Sequence, residues 1–577
     1  MRQLFRFLND YKKECILAPL FKLFEATLEL FVPLVMAAII DHGIDGADIG
    51  FIGWMGAILV LLAAVGLTAA LVAQFFAAKA AVGFATKLRS ELFRHIQSLS
   101  FGDVDQVGTS TLITRMTSDT NQLQSAVNMA LRLFLRSPFV VLGAMIMAFT
   151  IDVKAAWIFV IAIPLLSLVI FGVMVVSIPM YRRVQEALDQ LLCRTRENLT
   201  GARVQRAFNK QKAEAEQFET ENQKLNTMQM VVGRIAALTN PLTYILINGA
   251  VIALIWIGAI RVDAGFITQG QVVALVNYTA QILVELVKLA NTIVLVNKAI
   301  ACGNRVQEVF DRKAGLRNPA EVCAAGQEAE DIVVFDHVGL IYPGTQVESL
   351  TDIHFSVGRG QTIGIIGGTG SGKTSLVHLI PRFYDITSGS LKIDGVEAAH
   401  HSLRELRSRV GIVLQKSVLF AGTVRSNLTW GKKDATDEEM WCALRIAQAE
   451  DVVKGKPGGL DACVEQGGRN FSGGQRQRLA IARALVRRPE ILILDDSASA
   501  LDYATDAALR KAIRDELTDM TLFIVSQRTA SVRNADKIVV LDDGRMVGIG
   551  THEELMECCE VYQEIYESQY GKGAHES

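Results

Sequence analysis

The strongest constraint on this chain is a series of long apolar runs within its first 300 residues. Residues 51–78 contain no charged side chain, and this run is longer than most helices that are buried in a soluble domain. A helix needs about 20 predominantly apolar residues to cross a bilayer. Six segments meet that requirement, at residues 16–40, 51–78, 134–151, 155–178, 238–260 and 270–297. The sequence therefore predicts an all-α membrane domain with six transmembrane helices.

The positive charges predict which ends of these helices face the cytoplasm. Residues 79–136 contain seven lysines or arginines and residues 179–237 contain ten, whereas residues 41–50 contain none. Cytoplasmic connections are enriched in these residues. Both long connections are therefore predicted to be cytoplasmic, and their helical pattern indicates that the spans continue beyond the membrane. The N-terminal MRQLFRFLNDYKKE is predicted to form an amphipathic helix at the cytoplasmic interface.

The composition excludes several classes of protein. Hydrophobic residues make up 50% of the 577 residues and charged residues 20%, so neither a disordered nor a wholly soluble chain is expected. Lys and Arg number 58 against 60 Asp and Glu, so no overall positive field attracts nucleic acid, which is not a predicted partner. The eight cysteines form no C-x-x-C pair, and we predict from them neither a disulfide framework nor a zinc site.

The character of the chain changes after about residue 310. A polar linker leads into short apolar runs, tight glycine turns and amphipathic helices, which are typical of an α/β domain. Four segments have the length of strands: DIVVFDHVGLIY, QTIGIIG, EILILDD and TLFIVS. The predicted organisation is a membrane domain at 1–310, a linker at 311–330, an α/β domain at 331–570 and a tail at 571–577.

The strand QTIGIIG leads directly into a phosphate-binding loop. Residues 367–374 match the pattern G-x-x-x-x-G-K-S/T between a strand and a helix. Glycines let backbone N–H groups converge on phosphate oxygens, Lys373 offers a charge to the β and γ phosphates, and Thr374 offers a hydroxyl to Mg²⁺. Asp495 ends a later apolar strand and is predicted to provide a second Mg²⁺ contact. The residues of the loop that are predicted to bind ATP are Gly367, Gly368, Thr369, Gly370, Ser371, Gly372, Lys373, Thr374 and Ser375.

With these motifs in this order, the chain resembles ATP-binding cassette (ABC) transporters over nearly its whole length. The resemblance implies that Tyr342 stacks on adenine and that Gln415 is the glutamine of the glutamine loop. It identifies FSGGQ as the signature motif and residues 499–502 as the D-loop. The implied signature contacts are Ser472, Gly473, Gly474 and Gln475, and the implied Mg²⁺ contacts, made through water, are Thr374, Gln415 and Asp495.

The membrane half is similar to that of ABC exporters. Residues 103–115 and 199–212 resemble the two cytoplasmic coupling regions of that class. The resemblance implies a type IV exporter membrane domain followed by an α/β P-loop nucleotide-binding domain, in a cell membrane with the nucleotide-binding domain in the cytoplasm. Because one membrane domain is fused to one cassette, it also implies a dimer.

Two residues depart from the family pattern at the centre where ATP is hydrolysed. Asp496 stands where the family has a catalytic glutamate, and Gln527 stands where it has the switch histidine. Aspartate is one methylene shorter, and a displacement of about 1 Å can reduce a rate about a hundredfold. Glutamine can donate a hydrogen bond but cannot carry a positive charge. We therefore predict a degenerate site that binds ATP and hydrolyses it poorly.

These departures favour a heterodimer with a second half-transporter that has both the glutamate and the histidine. In that arrangement the intact signature of this chain completes the partner's competent site. Two alternatives stay open: a homodimeric exporter with slow hydrolysis that uses Asp496, and a nucleotide-gated regulatory membrane subunit. The substrate class is open among small molecules, lipids and peptides.

Polar residues in two spans are candidates for a substrate pathway. Along the sixth span they recur at helical spacing and share one face. Charge at membrane depth is costly unless it meets a cavity or a partner, but Glu285 and Lys288 are also close enough to pair with each other. In the first span, Lys22, Glu25 and Glu29 share one side and could instead extend toward the interface. The candidate pathway residues are Glu25, Glu29, Asn277, Gln281, Glu285 and Lys288, with Thr292 on the same face.

Overall fold

The computed structural model describes residues 4–312, 315, 329–497 and 499–571. Most of the predicted linker at 311–330, and residues 572–577 of the predicted tail, lie outside the described residues. The described residues divide into two compact units. The membrane unit holds the residues up to Gln97 and Ser110–Asp311, whereas the α/β unit holds Ser98–Thr109 and the described residues from Arg312 onward.

Among the described residues, six helices are long and apolar enough to cross a membrane, as the sequence predicts. In chain order the first to sixth spans are Leu4–Ile44, Ile49–Ser98, Thr109–Ile151, Val153–Thr200, Gln211–Asp263 and Gln269–Asp311. Their lengths of 41 to 53 residues exceed the roughly 20 residues of a bilayer crossing, so the helices continue well outside it. The first span opens with a 3-10 helix, Leu4–Tyr11, in which Leu4 and Phe7 are buried. Short helices follow the second and fourth spans at Phe101–Val107 and Ala202–Ala207, within or overlapping the predicted coupling regions.

Small residues explain how the second span, of which residues 51–78 are uncharged, packs. Five alanines recur at every fourth position along one face of this helix, and each is at most 4% exposed: Ala69, Ala73, Ala77, Ala81 and Ala85. Alanine lets helix backbones approach closely in a membrane. Large residues on the other faces, such as Leu61 and Leu71, are exposed, which suits contact with lipid tails.

The α/β unit contains three sheets. Its strands are β1 Asp331–Ile341, β2 Glu348–Gly358, β3 Thr362–Gly367, β4 Ser388–Ile393, β5 Val396–Glu397, β6 Val410–Val413, β7 Gly422–Thr423, β8 Cys463–Val464, β9 Ile491–Asp495, β10 Thr521–Val525, β11 Lys537–Asp542 and β12 Arg545–Gly550. The four segments predicted as strands are β1, β3, β9 and β10. A six-stranded sheet has the order β12-β11-β3-β10-β9-β6 and is parallel except for β12. An antiparallel sheet has the order β2-β1-β4-β5, and β7 pairs with β8.

Helices cover the strands of the larger sheet, as the apolar pattern predicts. The α-helices of this unit after β3 are Lys373–Leu379, Leu403–Arg409, Val424–Leu428, Asp437–Ile446, Glu450–Lys454, Gly473–Leu485, Tyr503–Glu516, Thr529–Val532, His552–Cys558 and Glu560–Tyr570. The strands β3, β9 and β10 are almost entirely buried, so their apolar runs pack on both faces. Because these three strands are parallel, their carboxyl ends lie at one edge of the sheet.

The segment Ser98–Thr109 joins two spans in the sequence but packs within the α/β unit. The sequence places it in the membrane domain at 1–310. The ring of Phe101 lies 4.4 Å from that of Phe383, and the Tyr384 hydroxyl donates to Asp105 at 3.1 Å. The Gln106 side chain donates to the Pro343 carbonyl at 2.9 Å. The difference arises because aromatic and polar contacts far along the chain hold this segment.

Candidate functional site

A cavity of about 400 Å³ lies at the carboxyl ends of β3, β9 and β10. Ligands in open α/β sheets bind outside this edge of the strands. The residues that line the cavity are Val347, Glu348, Ser349, Thr369, Gly370, Ser371, Gly372, Lys373, Thr374, Ser375, Gln415, Asp495, Asp496, Val525, Gln527, Asp543 and Gly544. Most of the predicted phosphate loop, the predicted Mg²⁺ residues and both departures from the family pattern therefore meet in one place.

The backbone of the phosphate loop requires its glycines. Gly370 and Gly372 have φ values of +86° and +93°, which L side chains rarely adopt. A Cβ on Gly367 would lie 2.1 Å from the Leu541 carbonyl oxygen on β11. The loop can therefore pass close to the sheet and begin the helix Lys373–Leu379 immediately.

Lys373 is buried at the start of that helix. Its ammonium donates to the carbonyls of Gly367 at 2.9 Å and Gly368 at 2.5 Å. Burial lowers the pKa of Lys373 below its usual value, while the carboxylates of Asp496 and Asp495 oppose that change. The ammonium is thus a buried cation that faces the cavity and could meet an anionic ligand.

Thr374 and Asp495 form a pair of oxygen donors. The Thr374 hydroxyl donates to Asp495 Oδ1 at 2.9 Å, and Asp495 is only 1% exposed. Burial raises the pKa of the Asp495 carboxyl above its usual value, although the Thr374 hydrogen bond lowers it. A hydroxyl, a carboxylate and the nearby Gln415 amide are hard oxygen ligands of the kind that Mg²⁺ prefers, so the residues fit this ion.

Asp496 occupies a left-handed backbone position directly after β9. Its φ is +45°, and its N–H donates to the Val525 carbonyl at 3.0 Å. The Gln415 side chain donates to Asp496 Oδ2 at 3.3 Å. Burial raises the pKa of this carboxyl, and the Gln415 contact and the positive charge of Lys373 partly offset the change. The carboxylate can therefore accept a proton inside the cavity, but one of its oxygens already has a partner.

Gln527 lines the cavity after β10 and its side chain is exposed. The Gln569 side chain, on the helix Glu560–Tyr570, donates to the Gln527 carbonyl at 2.7 Å. This contact fixes the backbone of Gln527 and leaves its amide free to turn toward a ligand.

Tyr342 lies beside the phosphate loop but is not among the described residues that line the cavity. Its hydroxyl donates to Ser375 Oγ at 2.8 Å, and its ring meets Tyr384 edge-on at 4.9 Å. Gly367 and Gly368 are likewise absent from the lining. Their carbonyls accept from Lys373, which lines it. The role of Tyr342 on adenine stays a prediction.

The signature residues lie at the start of another helix, Gly473–Leu485. Ser472 and Gln475 form a reciprocal cap, in which the Ser472 N–H donates to Gln475 Oε1 at 2.9 Å and the Gln475 N–H donates to Ser472 Oγ at 3.3 Å. Ser472 and Gly473 are exposed, and none of the four signature residues lines the cavity of their own chain. The motif therefore presents a capped helix start on the surface of the α/β unit.

The sequence missed several residues of the cavity. Val347, Glu348 and Ser349 reach it from the start of β2, and Asp543 and Gly544 reach it from the turn between β11 and β12. The pair Asp543-Gly544 is typical of a β-hairpin turn, which the sequence could have predicted. Its position beside the phosphate loop depends on the order of strands in two sheets, and no local pattern specifies that order.

The polar residues of the membrane unit form a charged layer around Arg136, which the sequence analysis did not select. Arg136 is 6% exposed and donates to Glu29 Oε2 at 2.5 Å and to Glu285 Oε1. Glu285, 3% exposed, also accepts from Ser137 at 2.8 Å and from Lys288 at 2.8 Å. Glu285 and Lys288 are therefore paired, which was one of the two alternatives.

Three helices place this layer at one depth. Glu29, Arg136 and Glu285 lie about 15 residues, or about 22 Å, from the external ends of the first, third and sixth spans. Elsewhere in the candidate set, Lys22 donates to Glu25 at 2.5 Å, Asn277 is exposed and Gln281 is half-buried. Arg136 and Lys288 balance Glu29 and Glu285, so the layer has no net charge.

Comparisons with known proteins agree with this architecture. Residues 15–286 match the model of the ABC transporter transmembrane region, and residues 350–499 match the ABC transporter model. An uncharacterized ABC transporter ATP-binding protein of Mycobacterium tuberculosis is 35% identical over 97% of both chains. The ATP-dependent lipid A-core flippase of Desulfotalea psychrophila is 32% identical over 83% of this chain and 84% of its own.

A solved structure shares the fold. A bacterial Atm1-family ABC exporter with ATP bound superposes with a TM-score of 0.80 at 22% identity, over 96% of this chain and 99% of the other. The two matched regions and the full-length relatives define the class: the chain belongs to the ABC transporter family. More particularly, it is an ATP-driven ABC exporter half, a multi-pass membrane protein with a cytoplasmic nucleotide-binding domain, and such exporters work with a second half.

Proposed function

We propose that this chain is one half of a heterodimeric exporter and that its own site binds ATP but hydrolyses it slowly. The observation that carries the proposal is the composition of one cavity. Groups suited to phosphate and Mg²⁺ line it, whereas Asp496 and Gln527 occupy the two positions that the family uses for hydrolysis. The partner would carry glutamate and histidine at the corresponding positions.

Binding should depend on residues that do not differ from the family pattern. Lys373 would exchange its carbonyl partners for phosphate oxygens, because the negative charge of these oxygens adds an ionic attraction to the hydrogen bond. Thr374 and Asp495 would hold Mg²⁺, and Gln415 would contact it through water. The bound ion would neutralise charge on the phosphates. Tyr342 would support adenine beside the loop.

Slow hydrolysis follows from the reach of Asp496. A general base must lie about 2.6–3.2 Å from the proton that it takes. The side chain of Asp496 is one methylene shorter than glutamate, and Gln415 already donates to it at 3.3 Å. Gln527 can donate a hydrogen bond to a γ phosphate but adds no positive charge. Both features weaken stabilisation of the transition state without weakening ATP binding.

The exposed signature supports a role in the partner's site. Ser472 and Gly473 stand at a capped helix start outside their own chain's cavity. The N-terminus of a helix favours an anion. We propose that this helix start contacts ATP held by the partner, and that hydrolysis there drives the transport cycle.

A homodimer with slow hydrolysis is the second candidate, and one observation favours it. Burial raises the pKa of Asp496 above its usual value. A carboxylate with a higher pKa is a stronger base, and Asp496 lies in the cavity. In this case Asp496 itself would activate water.

We further propose that part of the charged layer lines the substrate pathway. The side chains of Glu29 and Lys288 are 43% and 42% exposed, and Asn277 is exposed on the same face of the sixth span as Lys288. Charged groups rarely face lipid at membrane depth. Glu285, buried below them, would position Arg136 and Lys288 rather than touch the substrate. Glu25 and Gln281 would lie at the edges of this pathway.

The experiment is an ATPase assay on the purified chain, alone and co-purified with a half-transporter that has the glutamate and histidine. Asp496→Glu and Gln527→His are tested in both settings, and Asp515→Glu, at an exposed site on the same domain, is the matched control. We expect low activity alone, high activity in the pair, and a gain with Asp496→Glu. Loss of the pair's activity on removing the partner's glutamate, with Asp496→Ala tolerated, supports the heterodimer.

The opposite pattern would overturn it. If the chain alone forms a dimer that hydrolyses ATP at the rate of the pair, and Asp496→Ala abolishes that rate, the homodimer is correct. ATP affinity, measured by equilibrium binding at low temperature, should be the same for the parent and the Asp496→Ala variant in either case.

A further inference from the structure

Three side chains of the types that bind metals converge on the exposed face of the β1–β2 pair, outside the nucleotide cavity. They are His337 on β1 and Asp352 and His354 on β2, and one ligand atom from each lies within 4.8 Å of the others. None of the three is among the residues that line the cavity. The exporter function does not use them.

The backbone explains why they meet. Asp352 and His354 are two residues apart on β2 and alternate with buried Ile353, so both point to the exposed face. On β1, Phe335 pairs with Phe355 and Val338 pairs with Ile353, so two residues of β1 oppose His354 alone.

This arrangement is a β-bulge, and it reorients a side chain that regular pleating would place differently. His337 lies in the bulge with a φ of +50°. Asp352 lies in a second irregularity of the pairing, between the partners of Val338 and Leu340, and has a φ of +54°. The two histidine rings consequently stack with centroids 5.3 Å apart and planes at 24°. His337 Nδ1 lies 2.5 Å from Asp352 Oδ1.

We propose that His337, Asp352 and His354 bind a divalent transition metal of the Zn²⁺ type and that this ion links β1 to β2. Two imidazoles and a carboxylate suit Zn²⁺, whereas Mg²⁺ prefers an all-oxygen shell. Ligand atoms around tetrahedral zinc lie about 3.3 Å apart. The side chains of His337 and Asp352 are 66% and 65% exposed, so rotamer changes can close the remaining gap. A water would take the fourth position.

The position of the site gives the ion a consequence for the nucleotide domain. β1 ends one residue before Tyr342, and β2 begins at Glu348, which lines the nucleotide cavity. An ion that binds only the folded state stabilises it by mass action. Zn²⁺ should therefore stabilise the pairing of β1 with β2, next to Tyr342 and Glu348, without entering the cavity.

The test is Zn²⁺ binding to the full chain in detergent, after treatment with a chelator and alkylation of accessible cysteines. Equilibrium dialysis with metal analysis gives the stoichiometry, and isothermal titration gives the affinity. We expect the His337→Ala and His354→Ala variants to bind one Zn²⁺ fewer per chain, and Asp352→Asn to lose at least tenfold in affinity. His400→Ala removes another exposed histidine and should change nothing. Millimolar Mg²⁺ should not displace the ion.

Because the three side chains are exposed, the variants should fold, and ATP affinity serves as the check. Co²⁺ substitution is the second measurement: the parent should show a visible absorption band that the His337→Ala and His354→Ala variants lack. Equal Zn²⁺ stoichiometry in the parent and the double histidine variant would overturn the proposal. Neither outcome depends on whether the transporter is a heterodimer.

Discussion

The nucleotide cavity and the charged layer of the membrane unit each contain a buried cationic side chain, Lys373 and Arg136. The hydrogen-bond partners of these two side chains lie at different distances along the chain. Lys373 donates to carbonyls five and six residues away, at the turn that leads into its own helix. Arg136 pairs with Glu29 and Glu285, which lie 107 and 149 residues away on two other spans. The contacts of Lys373 form within one local loop, whereas those of Arg136 form only after three helices pack.

This difference predicts different consequences of mutation. The partners of Lys373 are backbone groups that a ligand can replace, so its removal should affect ligand binding more than folding. The partners of Arg136 are two carboxylates at membrane depth, and its removal leaves only Lys288 to balance them. The four predictions below test this contrast, from the largest expected effect to the smallest.

Arg136→Ala should be the most damaging substitution. Breaking a buried ion pair by removing one partner costs about 3–5 kcal/mol, so we expect a strong fall in thermal stability and in the yield of monodisperse protein. Replacing the pair together, with Arg136→Met and Glu285→Met, should restore most of the loss, because the two groups that lose a partner, Glu29 and Lys288, have side chains that are 43% and 42% exposed. Arg182→Ala, whose side chain is 82% exposed, is the control. If Arg136→Ala leaves the melting temperature unchanged, the charged layer does not stabilise the fold and the contrast with the nucleotide cavity is wrong.

Lys373→Ala should weaken ATP binding and leave the fold intact. Hydrogen bonds to charged groups contribute about 1.5–3 kcal/mol, so affinity should fall about tenfold to a hundredfold. Equilibrium binding of a fluorescent ATP analogue measures this change, and thermal unfolding without nucleotide measures stability. Lys392→Ala, at an exposed position on β4, should alter neither quantity. A large loss of stability in Lys373→Ala would mean that both centres are structural.

Asp495→Asn should stabilise the protein while it abolishes the Mg²⁺ dependence of ATP binding. Burial raises the pKa of Asp495 in the folded state above its value in the unfolded chain, which is about 3.9. Between the two values the folded state holds a proton that the unfolded chain has released, so the free energy of unfolding falls as pH rises through this window. Above the window the cost of the buried charge persists.

The neutral variant carries no such cost. At pH 7 without nucleotide, Asp495→Asn should be more stable than the parent by about 0.5–2 kcal/mol, and the difference should shrink as the pH approaches about 4. Denaturation at several pH values measures it, with Asp515→Asn as the exposed control. A difference that grows toward low pH would have the wrong sign for this explanation.

Glu25→Gln should have the smallest effect. Glu25 pairs with Lys22 within the same helix. Lys22 lies about 33 Å from the external end of the span, where its long side chain can extend into the interface once the carboxylate is lost. The cost should therefore stay close to the value for an exposed pair at this spacing, about 0.2–0.5 kcal/mol. Glu29→Gln, which weakens the contact with Arg136, should be distinctly more destabilising, although both glutamates lie in the first span. Thermal unfolding of the two variants side by side tests the ranking. Unchanged substrate transport in Glu25→Gln, Glu29→Gln and Glu285→Gln would exclude all three from the pathway.

The same contrast explains which features could be predicted from the sequence. The six spans, the strands β1, β3, β9 and β10, and the phosphate loop depend on patterns that are contiguous in the chain, and the structure contains them. Asp495 was recognised because it ends an apolar strand, and Asp496 and Gln527 were recognised through the resemblance to the family's motifs.

The features that sequence analysis missed depend on packing between distant segments. Arg136 lies at the start of an apolar run, and no pattern near it in the sequence predicts that it pairs with two carboxylates. Asp543 reaches the cavity because β11 lies beside β3. The bulge at His337 depends on the register of β1 against β2, which alternation alone does not specify.

The contacts of Ser98–Thr109 determine how this protein can be divided. The segment belongs to the α/β unit by its contacts with Phe383, Tyr384 and Pro343, although the membrane spans surround it in the sequence. A chimera that exchanges only the residues from 312 onward would therefore separate Ser98–Thr109 from the α/β unit with which it packs. A functional exchange needs a discontinuous graft, in which the twelve residues Ser98–Thr109 are exchanged together with the cassette.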